Sequence, residues 1–261
     1  MDPTQSGFAH GFGIFETIKL SSGCLCFWEA HRQRLVRSAD ALGLQFDVSE
    51  ATLLAAVREL VQADGLSDGT VKVSLLRDGA GSRCYVYSRP SMAGAGNARL
   101  LLNNEVLLNE HSLLVGHKTH NYMENMLLLE SARAEGFTDV IRLNAAGQLT
   151  ETSVGNVFFI QGDTLYTPAL ATGILPGVVR AVVIEAAQLL DIEVVEGAFT
   201  TSLLQVMDAA FVTNSLVGIQ SVDTVAVDGV ARNVDSATNS MVLDLKEALV
   251  AVEVDGAIDI G

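Results

Sequence analysis

His117-Lys118-Thr119-His120-Asn121-Tyr122, followed after a helical run and a turn by Glu151-Thr152-Ser153-Val154-Gly155-Asn156-Val157-Phe158-Phe159, decides how this chain is read. A lysine held among polar and aromatic neighbours can form a Schiff base. A buried carboxylate can keep a pyridine nitrogen protonated, so that the ring accepts electrons. Taken singly, a lysine near a strand end is most often a solvated charge, and a glutamate in Thr150-Glu151-Thr152-Ser153 a turn carboxylate. Together they answer the two demands that pyridoxal 5'-phosphate makes of a protein.

Working outward, residues 12–19 and 23–28 read as two strands joined by the turn Ser21-Ser22-Gly23. Residues 31–42 have a helical period, with Gly43 just past the end, and Ser49-Glu50 opens a second helix. Residues 71–76 and 83–87 form a hairpin across Asp78-Gly79-Ala80-Gly81. Strands are expected near 98–107 and 113–118, then a helix over 122–135 ended by Gly136. Strands at 140–143 and 157–160 flank the turn Asn144-Ala145-Ala146-Gly147, and a helix covers about 178–190. Strands near 193 and 210 with a short helix between them, and a C-terminal helix, complete an α/β (α+β) pattern. The small, unpatterned Ser91-Met92-Ala93-Gly94-Ala95-Gly96-Asn97 predicts a boundary. The expected division is an N-terminal α/β domain over 1–91, a linker over 92–97 and a C-terminal domain over 98–261.

The 261 residues suffice for a real core. No apolar run reaches the ~20 residues of a membrane span, and residues 1–6 lack the basic and apolar parts of a secretory signal. A soluble, cytoplasmic chain is expected. Sixteen Lys plus Arg against 31 Asp plus Glu give a net charge of −15. That field disfavours nucleic acid and anionic membranes as partners, and an anionic small-molecule ligand must be held by local cations or helix N-termini. Cys24 and Cys26 sit two apart in a strand-like run, on one face. No Cys or His spacing suits a metal, so free buried thiols are expected.

Two further segments suit a phosphate. Gly173-Ile174-Leu175-Pro176-Gly177-Val178-Val179-Arg180 is a Gly/Pro turn entering a helix, whose first N–H groups are free to meet an anion. Thr213-Asn214-Ser215 supplies hydroxyl and amide groups at a strand end. Both patterns are commonplace as turns. His117 and His120 read as ordinary polar lining.

In order along the chain stand Gly11-Phe12-Gly13-Ile14-Phe15-Glu16-Thr17, His31-Arg32-Gln33-Arg34-Leu35, Lys118 to Tyr122, Glu151 to Phe158, Leu175-Pro176-Gly177 and Thr213-Asn214-Ser215. This series resembles the fold-type IV pyridoxal-phosphate enzymes: branched-chain and D-amino acid aminotransferases together with 4-amino-4-deoxychorismate lyases. The resemblance implies two domains, a small N-terminal α/β domain and a larger C-terminal one with a mainly β core and flanking helices. It also implies a homodimer. By this resemblance Lys118 forms the Schiff base and moves protons, Glu151 pairs with the pyridine nitrogen, and Tyr122 lies by the ring oxygen. Asn156 orders the loop. Arg34 looks like the phosphate arginine, with the amides of Val178 and Val179, Ser215 and neighbouring Asn214 completing the cup. Arg83 and Tyr85 resemble a pair that reaches a substrate carboxylate, often across a dimer interface. Val179 stands where the family often has Thr, and Cys84 where glycine is common.

Two reactions share this chemistry. In a lyase, Lys118 removes a ring proton from 4-amino-4-deoxychorismate, and elimination of pyruvate leaves 4-aminobenzoate. In an aminotransferase, Lys118 shifts a proton on a branched-chain or D-amino acid and a 2-oxo acid takes the amino group. Thr17 favours the lyase, because lyase-like members tend to keep Thr where branched-chain aminotransferases have Gly, and its hydroxyl suits a proton donor to the departing enolate.

Overall fold

The computed structural model describes residues 4–91 and 96–260; residues 92–95 of the expected linker lie outside them. In chain order the helices are α1 (Ser6–Ala9), α2 (Trp28–Ala41), α3 (Glu50–Asp64), α4 (Met123–Ala134), α5 (Val178–Leu189), α6 (Leu203–Val206) and α7 (Ser240–Asp255). The strands are β1 (Gly13–Ser21), β2 (Cys24–Leu25), β3 (Gly69–Asp78), β4 (Gly81–Pro90), β5 (Ala98–Leu108), β6 (Asp139–Asn144) and β7 (Leu149–Thr152). They continue with β8 (Asn156–Gln161), β9 (Thr164–Pro168), β10 (Glu193–Gly197), β11 (Ala209–Asn214), β12 (Gly218–Val227), β13 (Val230–Asn233) and β14 (Ile258–Asp259). The chain forms two units, one of Met1–Ala93, His117–Tyr122 and Glu253–Gly261, the other of Gly94–Gly116 and Met123–Val252. A six-residue piece, 117–122, and the C-terminal end thus belong with the first unit rather than with the segments that flank them in sequence.

The first unit is an antiparallel sheet in the order β14-β2-β1-β3-β4. Alternation sorts its side chains. Ile14, Ile18 and Leu20 of β1 and Val71, Val73 and Leu75 of β3 share a core with Leu35 and Ala39 of α2 and Leu53, Val57 and Val61 of α3. Phe15, Thr17, Lys72 and Ser74 therefore belong to the other face of the sheet. The second strand expected over 23–28 is only two residues long. Phe27 takes a left-handed φ of 55° and α2 begins at Trp28, three residues before the helix predicted from periodicity. Trp28 is buried, so the first turn is set by packing and not by a cap. The three cysteines are free as expected, but only Cys26 is buried.

In the second unit the strand path is β10-β9-β8-β11-β12-β5-β6-β7, with a further β7–β8 pairing. That pairing closes β8, β11, β12, β5, β6 and β7 into a ring, which removes the edges of those six strands. Leu100, Ile141, Leu149, Val157, Phe159 and Val222 are buried in its core. The strand expected over 113–118 is absent. Asn109 and Ser112 accept backbone N–H groups from His111 and Leu114, and Gly116 has φ 76°, which makes the segment a run of turns. Leu113 there is exposed, not half-buried as in a strand.

Candidate functional site

Strand β2 covers β1 only at Leu20 and Ser21. The edge beside Gly13 to Phe15 is taken by the lysine segment: Phe15 N–H donates to the Lys118 carbonyl (2.8 Å) and His120 N–H to that of Gly13 (2.9 Å). Ile14 and Thr119 form an antiparallel bridge. Lys118 is half-buried, with Nζ 4.7 Å from the Phe15 ring centroid and 4.9 Å from that of Tyr122. Tyr122 meets Phe15 edge-on at 5.6 Å. The lysine is thus held between two aromatic rings by backbone pairing, a setting that limits its motion and its hydration. The flanking histidines differ. His117 Nδ1 lies 3.0 Å from Ser38 Oγ on α2. His120 packs on Phe15 at 5.1 Å and hydrogen-bonds the Ile14 backbone, while its Nε2 is buried without a partner. Burial, then the Lys72 charge, lowers the His120 pKa, so its imidazole is neutral.

Arg34 sits on the buried face of α2 with His31 and Ser38. Its guanidinium forks onto Glu16 of β1, Nε to Oε1 at 2.7 Å and Nη2 to Oε2 at 2.6 Å. His31 Nδ1 lies 2.7 Å from the same Oε2. Burial pushes the Glu16 carboxyl up, but the Arg34 charge and fork, aided by His31, outweigh it and hold the pKa at about 2. Neither Glu16 nor His31 is singled out by the sequence beyond membership of a motif. The available signal was the spacing His31, Arg34, Ser38, a polar i, i+3, i+7 stripe on an otherwise core-facing helix side.

On the opposite face of the sheet Thr17 pairs in register with Lys72, and Lys72 with Tyr87. Thr17 is half-buried. Lys72 Nζ stands 4.4 Å from the Phe15 ring centroid, so two ammonium groups share one ring. Ser74, next on this face, is 3% exposed and its Oγ has no partner. Lys72 was missed by the sequence reading. The Val71-Lys72-Val73 alternation marks it as off the core face, but only the strand register brings it to Phe15. Arg83 and Tyr85 line a cavity of about 260 Å³ with Gln5, Gly7, Phe8, Leu76, Arg77 and Asp78. Arg83 is held by Asp78 at 2.6 Å and is largely exposed.

In the second unit Glu151 lies in β7, not in a turn, opposite Asn156 of β8. Its Oε2 accepts the Leu175 N–H at 2.9 Å, and Asn156 Nδ2 donates to the Leu175 carbonyl at 2.9 Å. Leu175 is therefore gripped through both its N–H and its carbonyl, which ties the carboxylate to the loop that enters α5. At the start of α5, Gly177 is an N-cap without a side-chain hydrogen bond, and any Cβ there would run into Asn156 Oδ1. The first two helical residues, Val178 and Val179, are buried and offer backbone N–H groups only. At the end of β11 Thr213 is 1% exposed with Oγ1 unpartnered. Asn214 Oδ1 accepts from Leu216 and Val217 N–H, so this side chain holds its own turn; Ser215 beside it is half-buried.

No group of three or more His, Cys, Asp or Glu suited to a metal occurs among the described residues. The first unit thus holds a lysine amine on aromatic rings and a buried arginine, and the second a carboxylate anchored to a loop, an uncapped helix N-terminus and a buried, unpartnered threonine hydroxyl. Taken unit by unit and by chemistry alone, an amine suits an aldehyde, a carboxylate suits a ring nitrogen, and an arginine or free helix amides suit a phosphate, the groups that pyridoxal phosphate presents.

Comparison with known proteins agrees in kind. The amino-transferase class IV family model matches residues 13–225. An aminodeoxychorismate lyase of Bacillus subtilis is 30% identical, over 84% of this chain and 79% of that one. A D-alanine aminotransferase of Listeria innocua is 27% identical over 88% and 83%. Among solved structures, a Legionella pneumophila protein assigned as a 4-amino-4-deoxychorismate lyase superposes with a TM-score of 0.90 at 29% identity, covering 97% of this chain and 95% of that one. A branched-chain aminotransferase of Thermoproteus uzoniensis, at 24% identity, a TM-score of 0.89 and 100% and 94% coverage, shares the fold.

Proposed function

We propose that this chain, which belongs to the class IV amino-transferase family, is a pyridoxal-phosphate-dependent lyase that splits 4-amino-4-deoxychorismate into pyruvate and 4-aminobenzoate. The family comprises such lyases and aminotransferases, and the chain is an enzyme of one kind or the other. The observation that carries the lyase reading is Thr17, a half-buried hydroxyl on the same face of β1 as Phe15, whose ring holds the Lys118 ammonium. Two lyases among the similar proteins support it.

When bound, pyridoxal phosphate supplies an aldehyde that joins to amines and a ring that takes up the electron pair left by a departing proton. Lys118 provides the amine that anchors it and afterwards acts as the base at the substrate ring carbon. Glu151 keeps the ring nitrogen protonated, its other duty being the Leu175 N–H. Arg34, the Val178 and Val179 amides, and Ser215 with Asn214 hold the phosphate. Tyr122 confines the lysine, and Asn156 keeps the α5 entry in place through Leu175. Thr17 gives its hydroxyl proton to the oxygen of the leaving enolate and is in turn reprotonated from solvent. Arg83 and Tyr85 receive a substrate carboxylate, as does Lys72.

The resemblance supports a homodimer acting on a small anionic substrate, and the cytoplasm is the location expected from the sequence. Among the described residues no helix is long and apolar enough to cross a membrane. The decisive experiment incubates the loaded protein with 4-amino-4-deoxychorismate and measures 4-aminobenzoate, in parallel with 2-oxo acid release from branched-chain and D-amino acids. Formation of 4-aminobenzoate that Thr17→Val slows by roughly 10²-fold or more is expected. Amino-group transfer without 4-aminobenzoate overturns the lyase in favour of the aminotransferase. Failure of borohydride to fix cofactor on Lys118 overturns both.

A further inference from the structure

Two buried polar residues of the first unit have no part in the chemistry above. Glu16 is 2% exposed and His31 fully buried, and both serve Arg34, itself 4% exposed. The Glu16 carboxyl, held at about 2, is ionised at any working pH and can only accept hydrogen bonds. His31 must then carry its proton on Nδ1 to meet Glu16 Oε2 at 2.7 Å, and burial keeps the imidazole neutral. The carboxylate is thereby fixed by one residue of α2 while both of its oxygens fix another, three positions along the same helix face. A guanidinium so forked is planar, oriented and charge-compensated, and loses little freedom when an anion meets it. A plain tie between α2 and β1 would need only one such bond, and no buried histidine with an unpartnered Nε2.

We propose that Glu16 is the positioning residue for Arg34: it sets the guanidinium for the cofactor phosphate before the cofactor arrives, with His31 locking the carboxylate. This rests on the reading of Arg34 as a phosphate ligand. The consequence is specific to the phosphate. Removing Glu16 should weaken the capture of pyridoxal phosphate and leave pyridoxal, which lacks the phosphate, nearly untouched.

The test titrates apoprotein with pyridoxal phosphate and with pyridoxal, and takes the ratio of the two dissociation constants. Glu16→Gln is expected to lower the preference for the phosphorylated form by roughly tenfold, and Arg34→Gln at least as much. The double variant should lose no more than Arg34→Gln alone, as expected for residues acting through one group. An unchanged preference in Arg34→Gln overturns the phosphate reading itself. A preference lost in Arg34→Gln but kept in Glu16→Gln overturns the positioning role alone, as does equal weakening of both ligands, the mark of a merely structural tie. If Glu16→Gln does not fold, Glu16→Asp is read in its place, since the shorter side chain keeps the charge but cannot span the fork. A reduced preference in it supports the proposal and an undiminished one overturns it.

Discussion

Glu151 illustrates how a single side chain can have two obligations. Its Oε2 satisfies the Leu175 N–H, which fixes the carboxylate's direction, and its charge is what a pyridine nitrogen would need. Glu151→Gln separates the two. The amide oxygen still accepts from Leu175, so the second unit should keep its urea midpoint, whereas turnover should fall by roughly 10²-fold or more with the cofactor still bound. Steady-state kinetics beside cofactor absorbance check this, and unaltered turnover would remove Glu151 from the chemistry. Thr213 and Ser74 are simpler cases: buried hydroxyls without partners, visible only once neighbouring strands are in register. Nothing in their local sequence separates them from structural threonines and serines.

The elements were largely legible in the sequence where periodicity and turn chemistry agree. The hairpin of β3 and β4, the Ser49 cap of α3, whose side chain accepts from Thr52 N–H, and the α5 helix after Gly177 all follow local rules. The failures have a common cause. The run 113–118 is apolar enough for a strand, yet it meets β1 only at its end, where the Lys118 carbonyl accepts the Phe15 N–H, and before that Asn109 and Ser112 capture the His111 and Leu114 N–H groups in turns. The early start of α2 depends on the burial of Trp28, a tertiary fact. At the α5 entry the element meets the proposed phosphate site. Gly177 has φ −65°, which any residue can adopt, so the requirement for glycine is spatial. Gly177→Ala should displace Asn156, loosen its hold on the Leu175 carbonyl and cost about 1–3 kcal/mol. Urea denaturation measures the loss, and faster release of pyridoxal phosphate should accompany it.

For the molecule as a whole, acid is the informative perturbation, because 31 carboxylates set the charge but few are fully buried. Glu16 has a folded pKa of about 2, below the ~4.3 of an unfolded chain. Its contribution to stability is therefore complete above the unfolded value and disappears as pH falls through about 2. The stability difference between the native protein and Glu16→Gln should be constant near neutrality and shrink from pH ~4 downward, as urea midpoints along a pH series would record. A difference independent of pH would mean that the carboxylate is not the source of the effect. The sequence by itself determined the family, the α/β class and most of the elements, because motif order, hydrophobic period and turn residues are local properties of the chain. The tertiary structure alone decided which strands close the six-stranded ring and that residues 117–122 join the first unit. It also decided that Glu16, His31 and Arg34 form one buried network and that Lys72 reaches the Phe15 ring. Such pairings join residues distant in sequence, and their energy exists only once register and burial have removed the water that would otherwise solvate each group alone.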